Sequence, residues 1–171
     1  MTGNEIYLLT AFICSACDGS IAAEELELVN NLARQTNLFD GLDIEDKLNS
    51  YVAQINQNGR SFINDYISIL SATDLSEEEQ LNIIYVAIRI IESDAKIEYS
   101  EIMFFKKLRK ALSIPDDRIL EKMPEIEDYL LPDIQTQEFI FETSINFKTI
   151  DLSLFSSTLL PRDAHEKEIS Q

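Results

Sequence analysis

A chain of 171 residues, 45% hydrophobic and 9% aromatic, holds enough apolar material for one domain with its own core. Thirty-one acidic residues against 14 basic ones leave a formal charge of −17, which repels phosphate backbones and argues against nucleic acid as a partner. No apolar run approaches the roughly 20 residues that cross a bilayer, and the start MTGNEIYLLTAF lacks the basic leader of a signal peptide. A cytoplasmic location without direct membrane insertion is therefore expected, with peripheral association still compatible.

From Arg60 to Ile114 the chain has neither glycine nor proline, which points to long helices and an all-α class. Ile6, Leu8, Leu9, Phe12 and Ile13 predict a first helix entered near Asn4 and stopped by Asp18-Gly19. A second begins just after Ile21, with Leu26, Leu28, Val29, Leu32 and Ala33 inward. Asp43, with Asp46 three residues on, opens a third that NQNG ends, and a fourth covers about 60–72. Ser76 and Glu79 form a capping-box pattern ahead of a strongly apolar, central helix reaching Ile91. The next spans Glu98 to Leu112, and Pro115 starts a last one that runs to Leu131 with an interruption at Pro124.

The expected fold is a bundle of about seven helices. After Pro132 the pattern changes: FIFETSINFKTIDLSLF is rich in β-branched and aromatic residues, which predicts an extended or short-β arm over 132–171, disordered in its last ten residues. Such an arm, from Gln135 to Leu154, would lie on the helical body, dock on a protein partner or complete a homodimer.

DGSIAAEELELVNNL, from Asp18, realigns with DAKIEYSEIMFFKKL, from Asp94. Asp18 meets Asp94, Ile21 meets Ile97, Glu25 meets Glu101 and Leu32 meets Leu108. One helix–turn–helix unit thus occurs twice: an apolar helix ends in Asp, a short loop carries an isoleucine inward, and the next helix starts with a Glu. That Glu suits the positive end of a helix and could be the N3 member of a capping arrangement, although Ala22 and Glu98 stand where a Ser or Thr cap is usual. An Asp in a last turn faces the negative end and calls for compensation, either by loop amides in a local turn or by a cation.

The repeated pattern, CDGSIAAEE above all, resembles the TerB-like tellurite-resistance family, an all-helical fold whose signature is an Asp-Gly turn, an Ile and a Glu in the following helix. The resemblance implies a helical domain over 1–131 with related halves around 4–38 and 80–114. It also implies acidic turns holding a divalent cation, Ca2+ or Mg2+, and a stress-response or regulatory scaffold that presents helical surface to partner proteins. Asp18 and Glu25 carry over as metal ligands from the first motif, Asp94 and Glu101 from the second. The second copy departs from the pattern, with Ala95 for the glycine and Lys96 in the loop, so an ion there would draw on both loops.

The residues themselves leave alternatives. Ser20, Glu24 and loop carbonyls add oxygen donors of the kind calcium takes, but Gly19, Ile21 and Ala23 break the alternation of an EF-hand loop. Cys14 and Cys17 have redox-dithiol spacing, yet they sit near a helix C-terminus, where the dipole does not lower a thiol pKa, and read as core. Phe104 and Phe105 also read as core, and FKKLRK at 105–110 as complement to a helix end. A carboxylate-dependent hydrolase would need every catalytic group from the four acids, since no serine elbow or phosphate-cradling loop is present and the one histidine, His165, lies in the tail. The reading is non-enzymatic, with a metal-independent interaction or adaptor domain as the alternative.

Overall fold

A computed structural model describes residues 1–131 apart from 18, 20, 22, 94 and 95; the expected arm over 132–171 lies outside the described residues. All regular structure among the described residues is helical: α1 (Gly3–Ala16), α2 (Ala23–Gln35), α3 (Ile44–Asn58), α4 (Arg60–Ala72), α5 (Glu77–Ile91), α6 (Tyr99–Ala111), α7 (Asp116–Lys122) and α8 (Glu127–Leu130). A 3-10 turn, Pro124–Ile126, divides the last two. Proline offers no N–H and pushes the residue before it out of the helical region, and Met123 is indeed extended in φ at −137°. The seventh predicted helix is therefore three short pieces.

Local chemistry sets the starts. Ser76 and Glu79 form the expected box, the Glu79 amide donating to Ser76 Oγ (3.2 Å) and the Ser76 amide to Glu79 Oε2 (2.8 Å). The Asp43 carboxylate accepts from the Asp46 amide at 3.0 Å. α1 begins before Asn4 because Thr2 and Glu5 form a second box, with the Thr2 amide donating to Glu5 Oε2 at 2.8 Å. Between α3 and α4 stands only Gly59, at φ 54°, ψ −125°, a backbone state that an L side chain rarely adopts.

α1 is the axis of the bundle. Every residue from Ile6 to Ala16 is buried, so this helix is apolar on all sides, as a helix with no solvent face must be. It lies against α5 along its length and also touches α3 and α6; α2 packs on α5. α5 is nearly as buried, with Ile83, Ile84, Val86, Ala87, Ile90 and Ile91 at 1% exposure or less. Rings join the layers: Phe12 of α1 meets Tyr51 of α3 (5.5 Å) and Phe62 of α4 (6.2 Å), and Tyr66 of α4 meets Phe104 of α6 (6.0 Å). Phe104 and Phe105 are fully buried, as expected of core.

Several polar groups inside the bundle find partners in their own helix or on neighbouring elements. Thr10 Oγ1 donates to the Ile6 carbonyl (2.7 Å), which makes the Tyr66 hydroxyl the donor in its 2.6 Å bond to Thr10. Gln80, 6% exposed in α5, spans the gap to the α6–α7 corner. Its Oε1 accepts from the Ser113 and Ile114 amides (2.8 and 2.9 Å) while its Nε2 donates to the Leu75 carbonyl (3.0 Å). Arg109 braces the same corner, donating to the Leu112 and Ile114 carbonyls and to Asp116, so this residue of the basic stretch serves a helix end. No helix among the described residues is long and apolar enough to cross a membrane.

Gln80→Leu should destabilise the protein by about 1–3 kcal/mol in urea melts followed by circular dichroism, because the buried Ile114 amide and the part-buried Ser113 amide lose their acceptor. The acid side of the stability profile follows from two capping carboxyls held below their ordinary value of 4.5: Glu5, chiefly by Lys47 and then by the Thr2 amide, and Glu79, by the Ser76 amide and then its hydroxyl. A carboxyl with a depressed folded pKa stabilises fully above its unfolded value, and that contribution drains away as pH falls through the folded one. Thermal midpoints should thus decline on acidification from about pH 5 to about pH 3, less steeply in Glu79→Gln.

Candidate functional site

The first repeated turn follows directly on α1. Cys14 lies in its last turn and is fully buried, with Cys17 one turn on, also fully buried, its thiol donating to the Cys14 carbonyl at 3.1 Å. The helix closes where the Gly19 amide donates to the Ala16 carbonyl (2.9 Å), and Gly19 takes φ 88°, the left-handed region that favours glycine. Asp18 and Asp94 lie outside the described residues.

Glu25 in the first turn of α2 and Glu101 in the first turn of α6 are each only 6% exposed. A first turn is where a helix favours a carboxylate, but burial to this degree is unusual for Glu. Glu101 acts as the N3 residue of its helix, its Oε2 accepting from the Glu98 amide at 2.7 Å, so a glutamate stands at the N-cap where Ser or Thr is more usual. Both carboxylates act on a single thiol: burial pushes Cys14 well above the ordinary thiol value, and the charges of Glu101 and then Glu25 push it further. Acids from two different helices thus contribute to the electrostatics at Cys14.

The isoleucines of the two copies part company. Ile21 packs partly buried on the core, but Ile97 is 47% exposed, which corrects the expectation that both loops carry their isoleucine inward. The sequence repeat fixes the residue type in each loop; whether a wall stands opposite it depends on elements elsewhere in the chain.

Chemically, the centre offers hard oxygens and a neutral thiol. Cys14 and Cys17 are buried and form no disulfide, and burial holds the Cys14 thiol well above its ordinary pKa, which does not suit a nucleophile. Among the described residues, no group of three or more His, Cys, Asp or Glu is arranged to hold a metal ion. Of the four carboxylates expected as ligands, Glu25 and Glu101 are buried and both raise the Cys14 pKa, while Asp18, Asp94 and also His165 are outside the described residues. Sequence reasoning missed the Thr2–Glu5 box, although T-x-x-E carries the signal, and missed Gln80, whose partners lie more than 30 residues away.

No family model, curated protein or solved structure matches the chain.

Ellman's reagent at about pH 8 should find no reactive thiol in the folded protein and both cysteines after denaturation. Because burial is the larger cause of the Cys14 shift, Glu101→Gln should leave the folded protein equally silent.

Proposed function

We propose that the chain is a non-catalytic, TerB-like regulatory module of the stress-response kind, which holds a divalent cation at its paired acidic turns and presents its helical surface to partner proteins. The observation that carries this reading is that Glu25 and Glu101, at corresponding places in two hairpins, are equally buried and both raise the pKa of Cys14 in the last turn of α1. Buried carboxylate oxygens are the donor type that a hard divalent cation takes. Six to eight oxygens complete a calcium shell. Asp18, Asp94 and loop carbonyls would supply those beyond the two glutamates. A protonated, buried thiol beside them accords with a scaffold rather than a hydrolytic or redox centre.

A metal-independent adaptor is the second reading. It is favoured by the bond from the Glu98 amide to Glu101, which gives that carboxylate a capping role without any ion.

Calorimetric titration with Ca2+, Mg2+ and Mn2+ tests the first against the second. The cation reading expects binding at about 10⁻⁴ M or weaker that disappears in Asp18→Asn and Glu25→Gln. Silence with all three metals at millimolar concentration, with the helical spectrum intact, leaves the adaptor.

A further inference from the structure

A cavity of about 560 Å³ lies between the first turns of α1, the loop from α2 to α3 and the first half of α5. Asn4 and Tyr7, three residues apart, share one face of α1, and Glu78, Asn82 and Tyr85, spaced by four and by three, share one face of α5. These two stripes and Asn37 of the loop meet around the cavity. The walls are fixed by their own bonds. Thr36 Oγ1 donates to the Leu32 carbonyl (2.6 Å) and accepts from the Leu38 amide (3.3 Å), which sets the turn of the loop. Asn4 Nδ2 donates to the Asp40 carbonyl (2.9 Å), which ties that loop to α1.

Tyr7 is the group that the fold leaves half satisfied. It is only 5% exposed, and its oxygen accepts a long bond from Asn82 Nδ2 (3.4 Å), but among the described residues nothing accepts its hydroxyl hydrogen. Burial lifts its pKa above the ordinary tyrosine value, the Asn82 bond opposes that shift, and the charges of Glu79 and Glu78 add to it, so the phenol stays a neutral donor. Asn82 Oδ1, the Asn37 side-chain amide and the Glu78 carboxylate also have no hydrogen-bond partner among the described residues.

The chemistry of this set narrows the ligand. Among the described residues no basic side chain lines the cavity, which argues against a phosphate or a carboxylate. An ammonium would suit Glu78 but has no lone pair to take the Tyr7 hydrogen. A hydroxyl both gives and accepts, as the side-chain amides do, and Tyr85, 37% exposed, adds an aromatic ring to the lining. We propose that this cavity binds a neutral sugar, with Tyr7 donating to one hydroxyl and Asn37, Asn82 and Glu78 bonding its neighbours. The volume falls within the range usual for small-molecule sites.

The test titrates the isotope-labelled full chain with glucose, mannose, galactose and N-acetylglucosamine, each also as its methyl glycoside, and follows backbone and side-chain amide signals by NMR. At least one probe should move the Asn37 and Asn82 side-chain signals with a dissociation constant on the order of a millimolar, as expected for a ligand of roughly a dozen heavy atoms. Tyr7→Phe, which keeps the ring and removes only the hydroxyl, should weaken that binding about fivefold or more with the helical spectrum unchanged. Tyr85→Ala, at an exposed position, should weaken it as well. Binding of a methyl glycoside assigns the site to the end of a glycan chain, and binding of free sugars alone assigns it to a monosaccharide. Silence with every probe, or binding that either variant leaves unchanged, overturns the proposal. So does a response of the same amide signals to putrescine or inorganic phosphate and to none of the sugars.

Discussion

The constraint on which the molecule depends is that α1 has no face fit for water. From Ile6 to Ala16 nothing on it is exposed, so the hydrophobic driving force is met only when neighbours stand on every side. α5 supplies the long contact, and α3 and α6 close others. The polar groups that remain on α1 turn back to its own carbonyls, as Thr10 does to Ile6 and Ser15 to Ala11, which keeps the axis free of unmet donors. Charge is then left to the first turn of α1 and to the other helices, as where Lys47 bonds Glu5 at 2.6 Å and Arg118 bonds Glu77 at 2.7 Å. Such exposed pairs orient helices more than they stabilise them.

α1 ends inside the bundle, with Ala16 and Cys17 fully buried. That is why the two glutamates matter. A carboxylate in a first turn normally sits in solvent; Glu25 and Glu101 are instead carried inward with the helices that pack around the axis, and their field falls on Cys14. The low dielectric strengthens each charge's effect on its neighbours and raises the cost of leaving it uncompensated. The same surroundings hold the thiol in its neutral form, so the one centre with unusual electrostatics is poor in nucleophiles and rich in oxygen.

Helix starts were legible wherever the cap is a short-range pattern, as at Ser76 and Asp43, and so was the core nature of Phe104, Phe105 and the two cysteines. These depend on residues within a turn or two. The position of Ile97 was not legible, since periodicity names an apolar side chain without naming the wall opposite it, and the wall belongs to elements distant in sequence. Gln80 escaped for a related reason: its three bonds run to loops on both sides, one of them across the α6–α7 corner. In the acidic centre, spacing singled out Glu25 and Glu101, but their joint influence on Cys14 is a product of how α2 and α6 are laid down.

The buried axis is also made before the helices that surround it. At roughly 5–20 residues per second, synthesis of α5 is complete about 4–15 s after that of α1, and α6 follows later still. Throughout that interval the nascent chain carries a greasy amino-terminal helix whose main companion does not yet exist. The topology therefore obliges the cell to shelter this segment during translation, and it makes the emergence of the second hairpin, rather than the first, the moment at which the domain becomes able to fold.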